Sequence, residues 1–344
     1  MKPLISVCVP VFGSEPYLER ALNSILSQNF DKKFEAVIVN DGSSGLDCNG
    51  DNCDRIVKRF KKQFKGKTIC IKHEKNKGLL EARRSAVEAA RSEYVTVLDS
   101  DDQLLPDCLS VLYECAVKNN ADIVHAGAEI FFEASDSTGI SLTEEKINKL
   151  KNHWEDKVKT IHEGVLNGRE VLQNFLIDRG HKGLLWGKLF RRETYLEALN
   201  DIPPMNCTYL EDVLQYPFIA YHAKVYYGIK TPVYKYTLGT GVSAGRTIDN
   251  LDKWKVRCAA AGVFAVLQTE AKQNPELEKY LVEIAKTTHG YLYTLIMDLN
   301  HLVLPELRPA ARDMLCEYWG ADFVKKMEEQ YEKNKTTGST VISL

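Results

Sequence analysis

No apolar run in these 344 residues approaches the roughly 20 needed to cross a bilayer; the longest late one, Cys258 to Leu267, falls far short. That excludes an integral membrane protein. No Cys-x-x-Cys pair and no histidine at zinc spacing accompanies the nine cysteines, so structural zinc is not expected. An odd number of scattered thiols fits a reducing cytosol better than a disulfide framework. Only Cys48 and Cys53 lie close together, in the polar loop Gly45 to Asp54. Its acids lack the spacing and closing glutamate of a calcium loop, so it reads as a solvated insertion. An excess of one charge is missing too. Forty-five Lys and Arg against 47 Asp and Glu leave a net charge of −2, which gives no global reason to bind nucleic acid. Internal repeats are absent. The opening Leu4 to Phe12 follows a single lysine and carries Pro10, so it reads as a first strand rather than a signal peptide.

What is there begins with alternation. Strand-like runs at Leu4–Val11, Phe34–Asn40, Thr68–Lys72, Tyr94–Leu98 and Ile123–Ala126 are separated by helical patterns. One helix starts near Ser14 with Pro16 in its first turn and Leu18, Leu22, Ile25 and Leu26 on one face. The others are Asp54 to Phe64, Leu79 to Arg91, and a helix after Pro106. Such alternation predicts an α/β fold with a mostly parallel sheet flanked by helices. The run Lys58, Arg59, Lys61, Lys62, Lys65 and Lys67 interleaves with Phe60 and Phe64. It reads as a surface helix with an apolar stripe, with contact to anionic lipid as the alternative.

From Glu133 to Gly164 the pattern dissolves into a polar stretch, expected to be a lid or variable insertion. A helix near Arg169–Ile177, the run Leu184–Phe190, a helix near Leu210–His222 and strands at Lys224–Ile229 and Val233–Thr237 follow. Beyond Asp249 the chain is helical, over Leu251–Ala271, Pro275–Asn300 and Glu306–Lys333. The expected division is a sheet domain over residues 1–248 with an insertion at about 133–164, a helical subdomain over 249–335, and a frayed tail over 336–344.

Chemistry concentrates where strands end. Val95 to Leu98 runs into Asp99-Ser100-Asp101-Asp102, three carboxylates in four residues. Acids repel one another at the mouth of a buried strand unless a cation or ligand offsets the repulsion. Ligands bind open α/β sheets at strand ends, so this is a metal-site candidate; an acidic turn is the alternative. Val39-Asn40-Asp41-Gly42-Ser43 places a carboxylate, a glycine and a hydroxyl at a second strand end, which suits a nucleotide or else an Asx turn. Gly239 to Arg246 has hinge composition and one cation, and reads as a closing loop with Arg246 reaching a diphosphate. A dinucleotide fingerprint fails there on spacing. His181 and His222 are isolated and read as structural.

Together these segments resemble glycosyltransferase family 2, the inverting nucleotide-sugar transferases with the GT-A fold. The resemblance is carried by Pro10-Val11-Phe12, Leu18-x-x-x-Leu22-x-Ser24-Ile25-Leu26-x-Gln28, Val39 to Ser43, Asn76-x-Gly78-x-x-x-Ala82-Arg83, Leu98 to Asp102, Leu185 to Leu189, and Glu211-Asp212. These stand in the family's order over about residues 4 to 245. The resemblance implies that Pro10, Phe12 and Asp41 line the nucleotide pocket, with Arg83 supporting the diphosphate or Asp41. It makes Asp101 and Asp99 ligands of Mn²⁺ or Mg²⁺, with Asp99 and Ser100 also facing the donor and Asp102 bracing the turn. Trp186 and Lys188 are implied to lie beneath the sugar, although a buried Trp in a strand is core at least as often. Asp212 is the implied base, and Glu211 orients the acceptor. Acids in a helix's first turn also complement its dipole, which is the plainer reading of that pair. Gly13 and Arg84 stand where relatives often carry Asn.

The expected activity is metal-dependent, inverting transfer from a UDP-sugar to a glycan or lipid-linked saccharide, in surface polysaccharide or lipopolysaccharide synthesis. The expected setting is cytoplasmic, with peripheral contact at the inner face of the membrane and a homodimer through the C-terminal helices as further expectations. An aspartyl phosphatase fits poorly, because Asp102-Gln103 follows Asp99-x-Asp101 where that chemistry wants a hydroxyl or apolar residue at once, and the amino-terminal strand lacks the signature. A degenerate nucleotide-sugar-binding scaffold is the non-enzymatic alternative.

Overall fold

The computed structural model describes residues 2–133, 144–240 and 247–337. Two compact units emerge, Met1–Asn206 with Gln215–Gly241, and Cys207–Leu214 with Val242–Leu344. The short segment Cys207–Leu214 thus groups with the helical region, whereas the sequence placed everything before residue 249 in the sheet domain.

The first unit runs β1 (Ile5–Val11), α1 (Glu15–Leu26), β2 (Phe34–Asn40), α2 (Cys53–Gln63), β3 (Lys67–Lys72), α3 (Leu79–Ala89), β4 (Tyr94–Val97), β5 (Gln103–Leu104), α4 (Cys108–Asn119) and β6 (Ile123–Phe132). It continues through α5 (Glu144–Lys159), β7 (Gly164–Asn167), α6 (Arg169–Leu176), β8 (Lys188–Arg191), α7 (Arg192–Asn200), α8 (Glu211–His222) and β9 (Val225–Leu238). Helix α8 begins in the segment assigned to the second unit.

The sheet order is β3-β2-β1-β4-β8-β6-β9-β5, with β7 also on β9. Strands β3, β2, β1 and β4 are mutually parallel, and so are β6 and β9; β8 runs antiparallel between β4 and β6. Every residue of β1 is buried, as a strand flanked on both sides and covered on both faces requires. Leu18, Ala21, Leu22 and Ile25 of α1 join β1 and β4 in one apolar core.

Two elements depart from expectation. The stretch after Glu133 contains a 16-residue helix, α5. Its apolar signal is thin because Glu145–Lys149 and Glu155–Lys159 pair four residues apart along its surface, while Trp154 packs on Tyr236 with ring centroids 4.6 Å apart. The two strands expected between Lys224 and Thr237 form the single strand β9. The register with β6 shifts at Gly127, opposite Pro232, and a side chain at Gly127 would lie 2.5 Å from the Lys230 carbonyl oxygen.

The second unit contains α9 (Leu251–Cys258), α10 (Ala261–Gln273), α11 (Pro275–Glu278), α12 (Leu281–His301), α13 (Arg308–Trp319) and α14 (Ala321–Thr337). Its core gathers Trp254, Leu292, Leu295, Ile296, Leu315 and Val324. Gly320, at φ +83°, divides what the sequence predicted as one helix over Glu306–Lys333. No helix among the described residues is long and apolar enough to cross a membrane.

Candidate active site

Because β2, β1 and β4 are parallel and adjacent, their carboxyl ends lie along one edge of the sheet. Pro10 is buried within β1 opposite Val39, and Phe12 emerges from the strand 56% exposed. Asp41 follows β2, with its N–H donating to the Val11 carbonyl at 2.9 Å. Asp99 to Asp102 follow β4, whose last turn is fixed by Leu98 N–H donating to Cys8 O at 3.0 Å.

Asp41 is 2% exposed and fully engaged by the protein. Its Oδ1 meets His73 Nδ1 at 2.6 Å and accepts from Lys77 N–H at 2.9 Å; Oδ2 accepts from Asn76 Nδ2 and Gly78 N–H, each at 3.0 Å. Four partners fill the acceptor capacity of a carboxylate. Through these contacts the side chain fastens the loop between β3 and α3. Gly42, at φ +72°, lets that loop approach, since a side chain there would lie 2.8 Å from Asn76 N. His73, which the sequence did not single out, bridges onward to Ser85 Oγ at 3.0 Å. Its only signal was its position at the end of β3, three residues before Asn76.

Helix α3 couples this cradle to the acidic corner. Lys77 and the N-cap Gly78, just before its first turn, bind Asp41, where the helix dipole favours an anion. Further along it, Arg83 is 2% exposed and donates to Asp99 Oδ1 at 2.7 Å. Asp99 N–H donates to the Tyr234 hydroxyl at 3.1 Å, and that hydroxyl donates to Asp102 Oδ2 at 2.9 Å. Asp102 Oδ1 accepts from Thr237 N–H at 2.7 Å. Burial, followed by the charges of Asp101 and Asp99, holds the Asp102 carboxyl well above the usual range. Ser100 is buried, with its hydroxyl 2.6 Å from that of Ser14.

Asp101 takes a hydrogen bond from Thr240 Oγ1 at 2.8 Å, while Arg20 holds its main-chain carbonyl. Burial and then the neighbouring Asp99 charge push its carboxyl up to about 6. Two crowded carboxylates with only oxygen donors suit a hard divalent cation. No cluster of three His, Cys, Asp or Glu residues able to hold a metal occurs among the described residues. An ion held by Asp99 and Asp101 would need its remaining coordination from a ligand or water.

Trp186 and Lys188 lie just before and at the start of β8. Trp186 is 7% exposed, stacked on Tyr234 and Tyr236 at centroid distances of 5.0 and 4.8 Å, and belongs to the core. Lys188 has no exposed surface; its Nζ donates to Leu184 O and lies 5.2 Å from the Tyr216 ring centroid. Both side chains are thus largely or wholly enclosed by the protein, Trp186 within the core cluster. In the second unit, Glu211 and Asp212 occupy the first turn of α8. Glu211 is buried, and Asp212 Oδ1 accepts from Val213 N–H at 2.9 Å. Leu210, just before them, is left-handed at φ +61°, a strained conformation for a branched residue. Arg246 lies outside the described residues.

Residues 6–174 match the model of the family described as Glycosyl transferase family 2. Over that stretch the chain is similar to glycosyltransferase family 2. The Bacillus subtilis (strain 168) protein EpsH is 27% identical over 305 residues, covering 87% of this chain and 77% of its own length. S. aureus TarS residues 1–349, solved in complex with UDP-GlcNAc, superposes with a TM-score of 0.54 at 19% identity, over 96% of this chain and 92% of TarS. The Pyrobaculum calidifontis mannosyltransferase PcManGT, in complex with GDP-Man and Mn²⁺, gives a TM-score of 0.51 at 15% identity, over 98% and 84%. At such identities the superpositions establish the shared GT-A fold, with its α/β sheet and a helical C-terminal region.

Proposed function

We propose that the protein is a family 2 transferase that moves a sugar from a UDP-sugar to a hydroxyl of a glycan or lipid-linked saccharide, inverting the anomeric centre, in surface polysaccharide or lipopolysaccharide synthesis. The observation that carries the reading is the Asp99–Asp102 corner. Two carboxylates crowd at a strand end, one of them gripped by a buried arginine, and a third is spent on bracing the turn. The UDP-GlcNAc bound by TarS and the Mn²⁺ bound by PcManGT favour this donor class and this kind of cation.

In this reading Asp99 and Asp101 hold Mn²⁺ or Mg²⁺ together with the donor diphosphate. When bound, such an ion supplies Lewis-acid stabilisation of negative charge on the leaving group. The chain's own contributions are distinct. Arg83 fixes the Asp99 carboxylate and adds positive charge beside it. Tyr234 and Asp102 keep the turn from relaxing. The loop fastened by Asp41 and His73 walls the nucleotide pocket, with Phe12 as its exposed apolar surface. Asp212 takes the proton of the attacking hydroxyl, a poor nucleophile without a base, and Glu211 orients the acceptor. Attack opposite the departing diphosphate inverts configuration. Incubation with UDP-sugars, an acceptor saccharide and Mn²⁺, followed by NMR of the product's anomeric proton, tests the reading. An inverted linkage is expected, and a retained one would overturn the direct-displacement step.

A further inference from the structure

Residues 55–77 contain ten Lys and Arg but one acid, Glu74, in a chain whose net charge is −2. The structure sorts this excess onto one surface. Ile56, Val57 and Phe60 turn α2 into the core, while Lys58, Lys61, Lys62 and Lys65 stand exposed on and just beyond its outer face. β3, the edge strand beside β2, leads from there to the loop that Asp41 fastens, where Lys75 and Lys77 are again exposed. None of these six lysines has an ion-pair partner among the described residues. Of the nearby acids, Asp47, Asp51 and Glu19 pair with Arg59 and Asp54 pairs with Lys72, which leaves Glu74 as the one acid set among these lysines. A merely solvated helix face commonly carries paired charges of both signs. This one carries a single sign and leaves it uncompensated.

We propose that this lysine face, which runs along the β3 side of the sheet, docks on an anionic membrane surface. Charge complementarity favours lipid over nucleic acid, because the aromatics here are turned inward. Phe60 is buried, and Phe64 stacks on Phe60 and meets Phe34 edge-on, so no exposed ring offers a base a stacking platform. The apolar residues of α2 are likewise spent on the core, so the contact is electrostatic, without insertion, and weakens as salt rises. The purpose of such docking, bringing the site to a lipid-linked acceptor, rests on the function proposed above; the docking itself does not.

Flotation of the full chain with vesicles of phosphatidylcholine, alone or mixed with phosphatidylglycerol, tests it. The chain is expected to float with the mixed vesicles at low salt and not with the neutral ones. Each lysine near an anionic surface strengthens partitioning about fivefold, so the quadruple variant K58Q/K61Q/K62Q/K65Q should bind roughly 600-fold more weakly. Retained thermal stabilisation by UDP with Mn²⁺ would show that the variant is folded. K325Q/K326Q, on the exposed face of α14, should float as the wild type does. Equal flotation of the quadruple variant, equal binding to neutral vesicles, or preferential binding to polyuridylate would overturn the proposal. A chain that floats but transfers no sugar would leave the docking intact and sink the transferase reading. A chain that transfers to a water-soluble acceptor but never floats would do the reverse.

Discussion

Replacing Tyr234 by Phe removes one oxygen atom and, with it, the connection between the two halves of the acidic corner. The ring would keep its stacking on Trp186, so the hydroxyl alone is interrogated. That hydroxyl is wholly buried, accepts from Asp99 N–H at 3.1 Å and donates to Asp102 Oδ2 at 2.9 Å. Its loss strands one buried donor and one buried acceptor, each costing about 1–3 kcal/mol, so the sheet unit should lose roughly 2–6 kcal/mol. Asp99 would also lose a main-chain anchor, and UDP affinity in the presence of Mn²⁺ should fall by about tenfold, the equivalent of one such bond. Urea denaturation followed by Trp fluorescence, with calorimetric titration of UDP, measures both. A stability change below about 0.5 kcal/mol, the level of an ordinary surface substitution, would refute the view that Tyr234 ties this corner together.

Burial, followed by the charge of Lys188, pulls the His181 imidazole down to about 3, and the same two causes, in that order, hold His125 well below its ordinary value. The folded state therefore refuses protons that the unfolded chain accepts near pH 6.5, so this stabilisation is present above that pH and lost as pH falls toward 3. His181 alone would withdraw on the order of 4 kcal/mol across that window, and H181F should unfold at a lower pH than the wild type in a circular-dichroism titration. K188M strands the Leu184 carbonyl and should cost about 1–3 kcal/mol. It should leave metal-dependent UDP binding intact; abolished binding would return Lys188 to the donor site. D212N should bind UDP normally while turnover drops roughly 10²-fold or more, and an unimpaired rate would require another base.

The legible parts of the chain were those governed by local rules. β1, β2 and β4 announced themselves as short apolar runs between turn residues, because strands buried on both faces tolerate nothing else. The acids at their ends stood out for the opposite reason, since packing does not ask for them. Other features are tertiary and leave no local trace. Lys188 reads as a surface charge until the fold closes a carbonyl and an aromatic ring around it. Asp41 looks free to bind a ligand because its partners His73, Asn76, Lys77 and Gly78 lie more than thirty residues away in the chain. α5 escaped notice because paired charges, rather than an apolar stripe, mark most of its surface. Pro232 suggested a break in β9 that the Gly127 irregularity absorbs.

The most direct test of the account is calorimetric titration of UDP into the wild type and D101N, each with and without Mn²⁺. Tight binding only by the wild type with metal is the expected result. Equal, metal-dependent binding by D101N would contradict the assignment of the strand-end carboxylates as the ion's holders.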